Sequence, residues 1–112
     1  MAIAVDQTLN MDVLARVGVA LADDSRRRLL VALRDGPAYP SALADSLGLT
    51  RANVSNHLAC LRGCGLVVAE PEGRRVRYDL VDSRLASALR ELLALVLAPD
   101  PSVCLTSDAG CC

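Results

Sequence analysis

Apolar positions recur at helical spacing through most of the chain and switch to strict alternation in one short stretch. Over residues 9–22 (LNMDVLARVGVALA), Leu9, Val13, Val17 and Ala20 share one side, with Leu14 and Leu21 adjoining, which predicts a first helix. Asp23 or Asp24 stands where a cap is needed for a second, SRRRLLVALRDG, whose Leu29, Leu30 and Leu33 face inward and which Gly36-Pro37 ends. Pro40-Ser41 opens a short third helix with Leu43 and Leu47 at i and i+4. Gly48-Leu49-Thr50 then reads as a tight turn. Thr50 is the expected N-cap of a fourth helix, in which Val54, Leu58 and Leu61 form one apolar stripe and which Gly63 and Gly65 stop. A short helix, a turn containing glycine and a second helix make a helix-turn-helix.

After Gly65 the period changes. Leu66–Ala69 reads as a strand, Glu70–Gly73 as a turn and RRVRYDL as a returning strand, with Val76, Tyr78 and Leu80 alternating with Arg75, Arg77 and Asp79. An arginine-tipped hairpin directly after a recognition helix is a wing. Asp82-Ser83 caps a last helix, carrying Leu85, Leu89, Leu92, Leu93 and Val96, which Pro99 stops. The first and last helices offer more apolar surface than one small winged domain uses, so together they predict a homodimer interface. The expected fold is mainly α with a small β-hairpin, a winged helix-turn-helix over residues 1–98. A cysteine-containing tail follows over 99–112.

Composition sharpens this picture. Of 112 residues 53% are hydrophobic, yet the only aromatics are two tyrosines, so the core must be Leu, Val and Ala, which suits packed helices. The net charge of −1 does not advertise a nucleic-acid binder, but the distribution does more than the sum. There is no lysine, and arginines gather at Arg26–Arg28 and at Arg74, Arg75 and Arg77, a pattern able to grip phosphate. No apolar run reaches the length of a membrane span, and the N-terminus lacks a secretory pattern, so the expected location is the cytoplasm, with no membrane partner. The cysteines number five, an odd count in a chain expected to stay in a reducing compartment. Metal binding or thiol chemistry is therefore expected before a disulfide framework. No glycine-rich phosphate loop and no Ser-His-Asp constellation can be assembled, which speaks against an enzyme.

The fourth helix carries two kinds of chemistry. Ala52, Ser55, Asn56 and Ala59 point away from its apolar stripe and are small or amide side chains suited to base edges. Arg51 and Arg62 flank them and can reach phosphate, or simply stand as solvated charges at the helix ends. His57, the only histidine, is expected on the DNA side or in a structural role, although metal ligation is open to it. Cys60 and Cys64 lie on a flank between the two faces. Side chains at i and i+4 have Cβ atoms roughly 5–6 Å apart, near enough for two thiolates to turn toward one ion. The alternative is that both are small buried hydrophobes.

The order of elements from about residue 12 to 97 resembles the ArsR/SmtB family of winged-helix metal-responsive repressors. The resemblance is carried by LADDSRRRLLVAL, LGLTRANVSNHLACLRGCGLV and EGRRVRYDL. Within that family the LxCLRxCGLV arrangement, with a further cysteine after the last helix, is similar to the cadmium- and lead-sensing type. That similarity implies metal ligands at Cys60, Cys64 and Cys104, the last reaching its partner's helix. It implies double-stranded operator DNA as partner, released when Cd(II) or Pb(II) binds, and no organic cofactor. The family's arsenic-type cysteine pattern in the helix before the turn is missing, as are the Asp and His pairs of its zinc- and nickel-sensing type in the last helix. Cys111 and Cys112 depart from the pattern. They are accessory ligands, or a vicinal pair for As(III) or Hg(II), and Zn(II) is a further candidate. Three thiolates make a soft site suited to thiophilic ions. Two other functions stay open: an arsenite- or mercury-responsive repressor using the terminal pair, and a thiol-redox-switched repressor on the same fold. A thiol enzyme is disfavoured, because no CxxC stands at a helix N-terminus.

Overall fold

The computed structural model describes residues 2–103. Five helices and one hairpin follow in the order α1 (Ala2–Ala22), α2 (Asp24–Leu33), α3 (Pro40–Leu47), α4 (Arg51–Gly63), β1 (Val67–Glu72), β2 (Arg75–Leu80) and α5 (Ser83–Leu93). The helix boundaries follow local chemistry. Asp23 accepts the Arg26 N–H at 2.9 Å and starts α2, settling which aspartate is the cap. Pro40 occupies the first turn of α3, where its missing N–H costs nothing. Gly48 ends that helix in the left-handed conformation, φ 67°, a geometry that a side chain would strain.

The core forms where α2 lies between the other elements, touching α1, α3, α4, α5 and β2. Leu29, Leu30 and Leu33 of α2 meet Val54, Leu58 and Leu61 of α4, all essentially without solvent contact, and Leu43, Val67, Leu80 and Leu89 close the shell. Fully burying each such side chain contributes about 1.5–3 kcal/mol. The stripe expected on α4 is thus its inner face, and that fixes which residues point outward.

Three features differ from the sequence expectation. Helix α1 begins at Ala2 rather than Leu9, since no glycine or proline interrupts the segment before it; the side chain of Leu9 is outside the described residues. The hairpin is longer than expected. Its register runs from Val67 opposite Leu80 to Glu72 opposite Arg75, with Pro71 inside β1 and only Gly73-Arg74 left as the turn. Pro71 is tolerated because a two-stranded sheet is all edge. Helix α5 stops at Leu93 instead of running on to Pro99. Beyond it Leu95, Val96 and Leu97 find no apolar cover among the described residues and stand 60, 94 and 76% exposed.

The arginine triplet of α2 is spent on the fold. Arg26 donates to the carbonyls of Val19 and Ala20 and Arg27 to that of Leu21, at the end of α1, while Arg28 donates to the carbonyl of Leu47 at the end of α3. Cations there satisfy carbonyls that helix ends leave without partners and complement the negative ends of the helix dipoles. None of the described helices is long and apolar enough to cross a membrane.

Candidate nucleic-acid interface and thiol site

Helix α4 is held by its inner stripe and by Thr50, whose hydroxyl oxygen accepts the Asn53 N–H at 3.1 Å. With Val54, Leu58 and Leu61 buried, Ala52, Ser55, Asn56 and Ala59 are all exposed, and so are Arg51 and Arg62. The expected DNA face is therefore free and lies on one side of the helix. His57 is different. It is half-buried, with Nδ1 3.9 Å from the Asp23 carboxylate, and so faces the start of α2. The same carboxylate is held below its ordinary range first by the Arg26 backbone N–H, and also by His57 and Arg26.

The hairpin stands beside the recognition helix because the linker after α2 pairs with it. Ala38 and Tyr78 exchange backbone hydrogen bonds of 2.9 and 2.8 Å, which brings Tyr39 against the wing. Tyr39 Oη donates to Glu72 at 2.5 Å, and the guanidinium carbon of Arg75 lies 3.5 Å from the Tyr39 ring centroid. Arg77 is ion-paired with Glu70 at 3.1 Å and Glu72 at 3.3 Å. The Tyr39 phenol is raised above its ordinary pKa, first by its hydrogen bond to Glu72, and Arg77 is raised by the Glu70 hydrogen bond and then by Glu72. Arg74 and Arg75 are exposed. The three wing arginines are thus unequal. Tyr39 and Glu72 escaped the sequence reading, although the alternation that sets Glu70 and Glu72 opposite Arg77 and Arg75 was a signal for the acidic half of this network.

At the other end of α4 are two free thiols. Cys60 is exposed in the last turn, and Cys64, half-buried, is the C-cap and packs against the core. The Cys64 N–H donates to the Cys60 carbonyl at 3.0 Å, so one helical turn joins the pair. Cys64 thus partly fits the alternative of small buried hydrophobes, and the exposed Cys60 does not. Arg16 of α1 reaches this end and donates to the Cys64 carbonyl at 3.4 Å. Among the described residues no His, Cys, Asp or Glu completes a three-donor cluster with the thiols. Cys104, Cys111 and Cys112 lie outside the described residues.

Residues 23–68 match the profile of the bacterial regulatory protein, arsR family. The HTH-type transcriptional regulator CmtR of Mycobacterium tuberculosis is 69% identical over 87 residues, which cover 78% of this chain and 74% of that one. The chain belongs to the arsR family of bacterial regulatory proteins. Its fold agrees with the solution structure of the cadmium metal-sensor CMTR from M. tuberculosis, at a TM-score of 0.64 and 69% identity over 77% of this chain and 90% of that one. It agrees also with a homodimeric winged helix-turn-helix DNA-binding domain from Mycobacterium bovis, at a TM-score of 0.69 and 31% identity over 78 and 81% of the two chains. A Streptomyces lividans protein named "Probable mercury resistance operon repressor" is 36% identical over 101 residues, 90% of this chain and 76% of that one. The winged helix-turn-helix read from the chain is the family's fold, and the chain is a transcriptional regulator of the ArsR/SmtB family.

Proposed function

We propose that this regulator is a repressor that binds double-stranded operator DNA as a homodimer and releases it when a thiophilic ion, Cd(II) or Pb(II), is bound by Cys60, Cys64 and Cys104. The observation that carries the reading is the pair of free thiols at the C-terminal end of an otherwise DNA-facing helix. Two soft donors one turn apart fit a thiophilic ion and suit Mg²⁺ or Ca²⁺ poorly. They are two of three: the third donor has to come from elsewhere, and Cys104 is the candidate. The similarity to a cadmium sensor supports the choice of ion.

Ser55 and Asn56 on the exposed face of α4 would read base edges, and Arg51, Arg62 and the exposed wing arginines, Arg74 and Arg75, would hold phosphates. When bound, the ion supplies bonds to sulfur that join the end of α4 to a distant part of the chain. Cys60 and Cys64 give up their thiol protons on ligation, and Cys64, as C-cap, passes any change of position into the last turn of α4. Arg16 links that turn to α1, whose Met11, Val13, Leu14 and Val19 are exposed and available for a partner subunit. Changing the spacing of two recognition helices by this route would weaken binding by about 1–3 kcal/mol, roughly 5–150-fold. Such a repressor works in the cytoplasm and carries no catalytic step.

A second reading has Hg(II), or As(III), bound by Cys111 and Cys112; the name of the S. lividans relative supports mercury as the ion. One experiment separates the two. Reduced protein is titrated with Cd(II), Pb(II), Hg(II) and arsenite, following thiolate-to-metal absorption and operator affinity together. Release by cadmium or lead at stoichiometric thiolate absorption is the expected result. Release by Hg(II) or arsenite with cadmium and lead inert would favour the terminal pair, and release by an added oxidant with all the ions inert would replace metal sensing by a redox switch.

A further inference from the structure

The turn end of the wing, with the starts of both helices of the helix-turn-helix, frames a groove of about 400 Å³. Tyr39, Ser41, Arg51, Ser55, Arg74 and Arg75 line it, and no acidic residue is among its lining. Three arginines thus line it from three separate elements: the first residue of α4, the hairpin turn and the first residue of β2. Among the described residues none of the three is in an ion pair within 4 Å, whereas Arg77, one alternation along, has two.

We propose that this groove seats a single backbone phosphodiester of duplex DNA, with Arg51, Arg74 and Arg75 as its ligands and Tyr39 as the positioning residue that holds Arg75 in place. The proposal rests on the DNA-binding reading and names within it which arginines touch phosphate and which do not. Stacking on Tyr39 occupies one flat face of the Arg75 guanidinium and leaves its in-plane N–H donors free, the ones that match phosphate oxygens. The ring also limits the freedom of a long side chain before DNA arrives, so less is lost on binding. Tyr39 is itself fixed twice: its backbone lies beside the Ala38–Tyr78 bridge, and its hydroxyl donates to Glu72. Glu72 and Glu70 meanwhile match the charge of Arg77, which serves as a brace across the hairpin. The carboxylates are thus paired with the brace instead of facing the incoming phosphate.

The test uses the full apo-protein and a random-sequence duplex, where phosphate contacts supply essentially all the affinity. Arg75→Ala and Tyr39→Leu should each weaken binding roughly tenfold, the size of losing one charge-assisted hydrogen bond. Each should also shallow the slope of log affinity against log salt, by part of the roughly 0.9 that one phosphate is worth, since Arg51 and Arg74 still face it. The double variant should be no weaker than Arg75→Ala alone, because Tyr39 acts through Arg75. Tyr39→Phe, which keeps the ring, should bind nearly as the wild type does, and Arg77→Ala should leave the salt slope unchanged. Thermal melting of each variant identifies any that lose the fold, and Tyr39→Phe and Arg75→Ala keep the test decisive if Tyr39→Leu is one. Additive losses in the double variant, or a slope moved by Arg77→Ala and not by Arg75→Ala, would overturn the seat while leaving DNA binding intact. Absence of duplex binding by the wild-type chain would overturn both.

Discussion

Arg16 of α1 donates from Nη1 to the carbonyl oxygen of Cys64, across 48 residues of chain, while its Nε pairs with Asp12 at 3.0 Å. The contact is exposed, so it contributes little to stability by itself. Its importance is positional. It is a direct tie between the C-cap of the recognition helix and the helix that carries Met11, Val13, Leu14 and Val19 exposed on its outer side.

Replacing Arg16 with Ala is accordingly expected to leave the melting temperature, the apo operator affinity and the thiolate absorption on cadmium titration close to wild type. Metal-induced release should shrink by about 0.5–2 kcal/mol of coupling, the range over which residues between two sites modulate linkage. Operator titrations with and without cadmium measure it. Full release by the variant would show that the signal bypasses α1.

Asp23 offers a prediction in pH. Its carboxylate caps α2 and its pKa is lowered from the ordinary 3.8, chiefly by the Arg26 N–H. A group with a lowered folded pKa contributes stability above its unfolded pKa and loses it as pH falls through the folded value. Melting temperature should therefore drop as the solution is acidified below about 3.9, the unfolded aspartate value. Asp23→Asn, which still caps, should flatten that drop without lowering stability much near neutral pH. An unchanged acid limb in the variant would assign the loss to other carboxylates; Asp82, lowered first by the Arg84 side chain, is the next candidate.

The outward faces of α1 and α5 predict the assembly. Leu14 and Val19 of α1 are 63 and 61% exposed, and Leu92 and Leu93 of α5 are 52 and 56% exposed. Apolar surface gathered on two helices is a common mark of a protein interface. We expect a dimer in solution that protects an imperfect inverted repeat, bound by one dimer or by two. Leu14→Glu together with Leu92→Glu should shift sedimentation toward the monomer and cost operator affinity while leaving the single-chain fold intact. A wild-type monomer protecting one unpaired half-site would sink the dimer.

The helix-turn-helix was legible because it is local: one apolar stripe, one N-cap at Thr50 and a left-handed Gly48 define it within a few turns of chain. The exposed face of α4 followed from the same stripe. Long side chains were harder to read. Arg26, Arg27 and Arg28 look like a phosphate-binding cluster in the sequence, but they donate to carbonyls at the ends of α1 and α3, partners that exist only once the helices pack. Arg77 and Arg75 look alike on one alternating strand, and only the folded hairpin and the Ala38 bridge divide them between carboxylates and the Tyr39 ring. The end of α5 was misread for a related reason. Periodicity continues to Val96, but nothing among the described residues covers that turn.

The cysteines separate the proposed metal site from the terminal pair. Cys60→Ser and Cys64→Ser should each abolish cadmium- or lead-induced release and leave apo DNA binding nearly intact, since each exchange replaces one sulfur by oxygen at the C-terminal end of α4 and keeps the shape of the side chain. Cys64→Ser should cost the more stability of the two, because its side chain packs against the core whereas Cys60 is exposed. Cys104→Ser should weaken the response more gently, because water or a neighbouring thiol can take part of its place. Deleting residues 109–112 should change little for cadmium if Cys111 and Cys112 are accessory. The measurement is thiolate-to-metal absorption with operator affinity, with and without metal, across the four variants. If the 109–112 deletion lost the response while Cys60→Ser kept it, the sensing site would be the terminal pair. Mercury or arsenite would then be the inducer to test first.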